Sequence, residues 1–158
     1  MKQNEEISSV VRTQLIPLTD MQLVLPNTCI AEVISLQSIK NIKDSPDWLL
    51  GMTHWRGIEI PVISYEKTNG LPTVEHSKHT RIAVLNSLEG NEQIPFYGII
   101  TQGIPKLQSL TMADINSIKN PDTKMPVALQ QTTIHDVNAI IPDQPKIEKL
   151  LTSAIKSH

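Results

Sequence analysis

Residues 45–70 read SPDWLLGMTHWRGIEIPVISYEKTNG, and the rest of the chain is most easily understood from this stretch. Ser45 is a helix-capping residue type and Pro46 suits a first helical position. Ser45, Pro46, Asp47 and Trp48 therefore predict a short capped turn that runs into Gly51. From Leu50 to Ser64 the pattern changes to two extended arms joined by Arg56-Gly57, where glycine can supply the positive φ that a tight turn requires. The expectation is a hairpin with an arginine at its tip. Alternation puts Leu50, Met52 and His54 on one face of the first arm and Thr53 and Trp55 on the other, while Ile58, Ile60 and Val62 share a face of the second. Pro61 has no N–H to give to a ladder, which suggests an edge strand or a bulge.

Working outward, VRTQLIPL and MQLVLP flank Thr19-Asp20 and predict a β-hairpin, with Leu15 and Leu18 facing the same layer. Pro26-Asn27-Thr28 opens a brief helical or irregular turn. IAEVISL then leaves Glu32 among apolar neighbours, an unusual place for an acid without a partner. On the other side of the central stretch, residues 65–79 read as a polar loop with Gly70 and Pro72 as breakers, the natural junction between two halves. RIAVLNS, PFYGIITQG and IPKLQSL read as strands, Gly98 leaving room for a close backbone approach. Thr111 followed three positions later by Asp114 has the form of a capping box. PVALQQTTIH and VNAIIP predict a last hairpin bent at Asp136. Ile147, Leu150, Leu151, Ala154 and Ile155 then fall on one face of a C-terminal helix over residues 143–157, with Lys146, Lys149 and Lys156 opposite. Residues 1–10 are polar and aperiodic and read as a tail. Residues 11–158 form the folded part, with approximate halves at 11–70 and 78–142.

The composition restricts the function classes. At 158 residues the chain suits one domain or two small halves sharing a core. A 3% aromatic share requires that core to be built from Ile, Leu and Val, which favours sheet. A net charge of -2 provides no basic field for nucleic acid. Cys29 is the only cysteine, so no intrachain disulfide forms, and its neighbours suggest a buried apolar role. No apolar run approaches the roughly 20 residues of a membrane helix, and the polar, acidic start is unlike a signal peptide. The expected location is cytoplasmic, without direct membrane insertion. His76 and His79 lack the further ligands a metal site requires. No nucleophile elbow or phosphate-binding glycine loop occurs. Neither an enzyme nor a cofactor is expected.

The central stretch resembles the CheW family of chemotaxis scaffold proteins, through Pro46, Trp48, Leu49, Gly51, Trp55, Arg56, Gly57, Pro61 and Val62. The run WRG followed by IPVISYEKTNG is similar to the ChpC-type members that serve type IV pilus, or twitching, chemosensory systems. The resemblance implies an all-β fold of two SH3-like five-stranded β-barrels packed together, with short helices and a C-terminal helix. The many short strands and turn signals independently argue for a sandwich or barrel. It also implies a non-catalytic adaptor that joins the cytoplasmic tip of a methyl-accepting chemoreceptor to the regulatory domain of a CheA-type histidine kinase, by recruitment to membrane-associated receptor arrays. By correspondence the partner-binding residues are Ile30, Glu32, Val33, Trp55, Arg56 and Gly57. Glu32 and Arg56 occupy the family's paired positions, and a guanidinium can grip a carboxylate with two N–H groups. The chain departs from the family at Ser64-Tyr65, where an aspartate is frequent, and at His54, where an asparagine is common. Two other classes compete with this reading. A small-ligand-binding β-barrel would need a cavity with convergent polar groups. An oligonucleotide-binding barrel would need aromatic platforms and a basic groove.

Overall fold

The structure, a computed structural model, describes residues 10–88, 91–118 and 125–156. Its elements run β1 (Val11–Leu18), β2 (Met21–Pro26), a 3-10 turn (Asn27–Cys29), β3 (Ile30–Ser35), β4 (Leu49–Trp55), β5 (Ile58–Ile63) and helix α1 (Tyr65–Thr68). They continue with β6 (Arg81–Asn86), β7 (Phe96–Thr101), β8 (Lys106–Leu110), a 3-10 turn (Met112–Asp114), β9 (Ile115–Ser117), β10 (Ala128–Ile134), β11 (Val137–Pro142) and helix α2 (Gln144–Lys156). The strands form a six-stranded sheet, ordered β8-β1-β2-β11-β10-β9, and a five-stranded sheet, ordered β3-β6-β7-β5-β4. Each sheet has one parallel junction, β2 with β11 and β5 with β7, and is otherwise antiparallel. The all-β expectation holds, with β9 as a sixth strand in one sheet where five were expected. The predicted tail lies largely outside the described residues.

The sheets do not divide where the polar loop suggested. The five-stranded sheet is the middle of the chain, β3 to β7, while β1 and β2 join β8 to β11. A polar, proline-containing loop marks an exposed connection, but it carries no information about which sheet the next strand enters. The chain returns to the first sheet after β7, where Gln102 N–H donates to Pro17 O at 2.8 Å.

Both faces of the central strands β2, β5, β6 and β7 are covered, which is why these strands carry continuous buried runs and not alternation. Leu23 and Leu25 of β2, with Ala83 and Leu85 of β6, enter a large core shared by the two sheets and closed by Ile147 and Leu151 of α2. Ile82 and Val84 of β6, with Ile60 and Val62 of β5, fill a second core on the other side of the five-stranded sheet. Leu15 packs with Val24, Leu110 and Ile134 in a third core, whereas Leu18 belongs to the large one. The expectation that Leu15 and Leu18 share a layer is therefore overturned, since positions three apart on a strand point to opposite faces. At Gly98 an added Cβ would lie 2.7 Å from Ile82 Cγ2, the close approach that the glycine suggested.

Tyr65–Thr68 forms a helix where a loop was expected. Ser64 is its N-cap, the hydroxyl accepting from Lys67 N at 3.3 Å, so the departure from the frequent aspartate keeps a capping residue in place. Tyr65 is fully buried and donates to Val127 O at 2.8 Å, while Asn69 Oδ1 accepts from Val127 N at 3.1 Å. These bonds tie α1 to the strand segment that leads into β10. Burial pushes the Tyr65 hydroxyl well above the usual phenol range. The C-terminal helix forms as the periodicity required, and the Asp143 carboxylate caps it by accepting from Lys146 N at 3.2 Å.

Candidate functional site

The central hairpin is the first part of the site. Arg56 and Gly57 take φ of 47° and 81°, so both turn residues are left-handed and the strands follow the twist of a tight two-residue turn. Ser45 departs from expectation. Its hydroxyl donates to Ile42 O at 2.8 Å and does not cap a helix, and residues 46–48 form a single turn before β4 begins at Leu49. Pro61 lies where β5 is paired only to β4, because the parallel ladder to β7 begins at Val62. The missing N–H is therefore tolerated although β5 is an interior strand.

β3 and β4 are the outer strands of the five-stranded sheet, and the link 36–40 fastens across from one to the other. Lys40 and Met52 exchange two backbone bonds of 2.7 and 2.9 Å, Thr53 Oγ1 donates to Ser38 O at 2.7 Å, and Gln37 Nε2 donates to Thr53 Oγ1 at 2.9 Å and to His54 O. Gly51 makes this possible. Its φ is 142°, and a Cβ there would overlap the Lys40 carbonyl oxygen and lie 2.7 Å from the carbonyl carbon. The link curls the sheet and brings the start of β3 beside the tip of the β4–β5 hairpin.

Three side chains meet at that tip. Glu32 Oε1 accepts from Trp55 Nε1 at 3.0 Å and from Arg56 Nε at 3.2 Å, and Arg56 Nη2 lies 3.2 Å from the same oxygen. The expected Glu32–Arg56 pair is present, with both guanidinium nitrogens on one carboxylate oxygen and not forked over two. The guanidinium carbon sits 5.0 Å from the Trp55 ring centroid, a cation–π arrangement. Trp55 is itself buried in the second core, its ring 4.8 Å from that of Phe96 at an interplanar angle of 58°. The tryptophan thus lies behind the ion pair, while Arg56 and Gly57 are exposed.

Ile30, Glu32 and Val33 do not share one face of β3. The register shifts between Ile30 and Glu32, so that Ile30 stands opposite Leu85, Glu32 opposite Val84 and Val33 opposite Ala83. Directly opposed residues share a face. Ile30 and Val33 therefore side with the large core and Glu32 with the second one. The inserted residue Ala31 turns Glu32 toward Trp55. Bulges re-aim side chains in this way, and nothing in the run IAEVISL announces one.

Other charged groups are structural. Glu148 of α2 is buried and accepts from Ser87 Oγ at 2.8 Å, Leu88 N at 3.0 Å and Tyr97 OH at 3.3 Å. The sequence reading missed it, although on the helix it lies beside the apolar stripe of Ile147 and Leu151. Glu66 is also buried and accepts from Thr19 N at 3.1 Å, linking α1 to the β1–β2 turn. Burial, and then the charge of Glu148, raise the Cys29 thiol, in keeping with a small apolar role. The expected capping at Thr111 is present. Its backbone N–H donates to Asp114 Oδ2 at 2.8 Å, and this bond, ahead of the hydroxyl and of His135, holds Asp114 below the usual carboxylate range. His54 is exposed, and His76 and His79 lie in the exposed loop. Among the described residues no three His, Cys, Asp or Glu side chains gather as a metal site.

The model of the CheW-like domain family matches residues 13–151. The chain belongs to the CheW-like family. That match spans both sheets and most of α2. CheW-like proteins are non-catalytic scaffolds of chemotaxis signalling that couple chemoreceptors to the kinase CheA. Among solved structures the CheW-like fold is similar to the scaffolding protein TtCheW from Thermoanaerobacter tengcongensis, with a TM-score of 0.70 and 22% sequence identity over 84% of this chain and 83% of that one. No curated protein matches the chain. No helix among the described residues is long and apolar enough to cross a membrane.

Proposed function

We propose that this CheW-like chain is an adaptor that joins the cytoplasmic tip of a methyl-accepting chemoreceptor to the regulatory domain of a CheA-type histidine kinase, in a chemosensory system that controls type IV pili and twitching. The observation that carries the reading is the convergence of Trp55 and Arg56 on Glu32 Oε1 at an exposed hairpin tip. It is a fixed charge pair with an apolar backing and no reactive group beside it. Such a surface gives register and specificity to a protein interface, while the neighbouring aliphatic residues supply desolvated area. Ile30 and Val33, on the other face of β3, would belong to a second contact or to the packing that holds β3. The pilus assignment rests on the residues WRG and IPVISYEKTNG. Recruitment to receptor arrays follows from the same partners and needs no membrane segment.

The test is a calorimetric titration of the purified chain with the receptor tip and with the kinase regulatory domain, separately. Binding to at least one is expected, and Arg56→Glu, which turns the pair into two like charges, should weaken it about 30-fold or more, corresponding to roughly 2 kcal/mol. No binding to either fragment, or unchanged binding by the variant, contradicts the proposal. For the pilus role, deletion of the gene in its native host should abolish twitching. Intact twitching with lost flagellar swimming assigns the chain to the other motility system.

A further inference from the structure

Resting on the adaptor reading, we infer that Trp55 is the positioning residue of the docking surface, and that it leaves the outer edge of the Arg56 guanidinium as a receiver for a carboxylate on the partner protein. The argument begins with the number of donors. Glu32 Oε1 accepts from Arg56 Nε, lies within ion-pair distance of Nη2, and takes the Trp55 indole N–H at 3.0 Å. An exposed Glu–Arg pair ordinarily contributes little, because two long side chains lose rotamer freedom to hold one geometry and water competes for both. Here the third donor comes from a ring held rigidly in the core against Phe96, so the carboxylate is placed before the arginine arrives. The same ring provides the face under the guanidinium, 5.0 Å from its centroid. One tryptophan thereby fixes both members of the pair, through its N–H and through its π face.

The consequence lies in what remains. Nε and one side of Nη2 are directed at Glu32, while Nη1 has no partner among the described residues, and the arginine side chain is 68% exposed. A guanidinium anchored along one edge still presents a second planar edge, Nη1 with the outer hydrogen of Nη2, whose spacing matches the two oxygens of a carboxylate. Since Glu32 already neutralises the site in part, a singly charged carboxylate suits it better than a dianionic phosphate. The partner group is therefore an Asp or Glu side chain on the protein that docks at the hairpin tip. A leucine at position 55 would offer neither the N–H nor the ring face, so the order of this pair depends on the tryptophan.

The experiment has two arms. In the first, the amide spectrum of the nitrogen-labelled chain contains indole N–H signals for Trp48 and Trp55, assigned by the one that Trp55→Phe removes. Glu32→Gln should move the Trp55 signal upfield and leave that of Trp48 in place, a readout that loss of general packing does not produce. An unmoved Trp55 signal overturns the positioning role. In the second, whichever fragment the wild-type chain binds, receptor tip or kinase domain, is titrated against Trp55→Phe, Arg56→Ala and the double variant, each shown by thermal melting to be folded. Trp55→Phe should weaken binding about fivefold. Arg56→Ala should cost about tenfold in the wild-type background and threefold or less with Trp55→Phe. Acid-to-amide changes on the fragment should include one that is non-additive with Arg56→Ala. Equal Arg56→Ala costs in both backgrounds, or additivity at every acid, overturns the inference while leaving the adaptor reading intact. Failure of the wild-type chain to bind either fragment overturns the adaptor reading and the partner carboxylate together, and the indole arm still decides the role of Trp55.

Discussion

Replacing Gly51 by alanine should lower the stability of the protein by about 3–5 kcal/mol, among the largest effects available to a single substitution in this chain. Two costs combine. The φ of 142° lies in a region that residues with a Cβ seldom occupy, and the new methyl would collide with the Lys40 carbonyl group. That carbonyl accepts from Met52 N, so it cannot move away without breaking the paired bonds that fasten the link 36–40 to β4. Urea denaturation measures the loss, and hydrogen exchange should show the Lys40 and Met52 amides opening before the rest of the sheet. Gly57→Ala is the control. Its φ is 81° but no heavy atom lies within 4 Å of the added Cβ, so strain alone acts and about 1–2 kcal/mol is expected. Equal losses at the two glycines would mean that the clash at Lys40 is relieved by backbone movement and that the link does not hold the sheet curled.

The second large effect is expected at Glu148. Glu148→Ala leaves the Ser87 hydroxyl, the Leu88 N–H and the hydroxyl of the fully buried Tyr97 without this acceptor. An orphaned buried donor costs about 1–3 kcal/mol, and the variant no longer has a charge to desolvate, so a net loss of about 2–4 kcal/mol is expected. Glu148→Gln keeps one carbonyl acceptor and should lose about half as much. Chemical denaturation of the three proteins side by side checks the order. A Glu148→Ala variant within about 0.5 kcal/mol of wild type would contradict the view that this carboxylate latches α2 to the segment after β6.

The sequence revealed those features that have local causes. Arg56-Gly57 was legible as the hairpin tip because glycine accepts the left-handed φ that a tight turn requires, and the final helix was legible because five apolar side chains repeat at its period. The features that were not legible have non-local causes. One inserted residue at Ala31 reverses which face Glu32 occupies, and it looks like any other position in an apolar run. The return of the chain from β7 to the first sheet depends on which edge is vacant in three dimensions. Trp55 could be seen to be near the tip, but its use as the donor that holds Glu32 required knowing that Phe96, far along the chain, would support the ring. Glu148 was not legible as a buried acceptor because its position on the helix borders the apolar stripe, where only tertiary packing decides between water and core.

Chemical-shift mapping on the labelled full chain tests the central claim most directly, with the unlabelled kinase regulatory domain and the receptor tip added in turn. The prediction is that one of the titrations shifts or broadens a compact set of amides at the start of β3 and the β4–β5 turn, Glu32, Trp55, Arg56 and Gly57 among them, and that Arg56→Glu removes the effect. Perturbations confined to α2 or to the far edge of the six-stranded sheet, with the hairpin tip unchanged in both titrations, would contradict it.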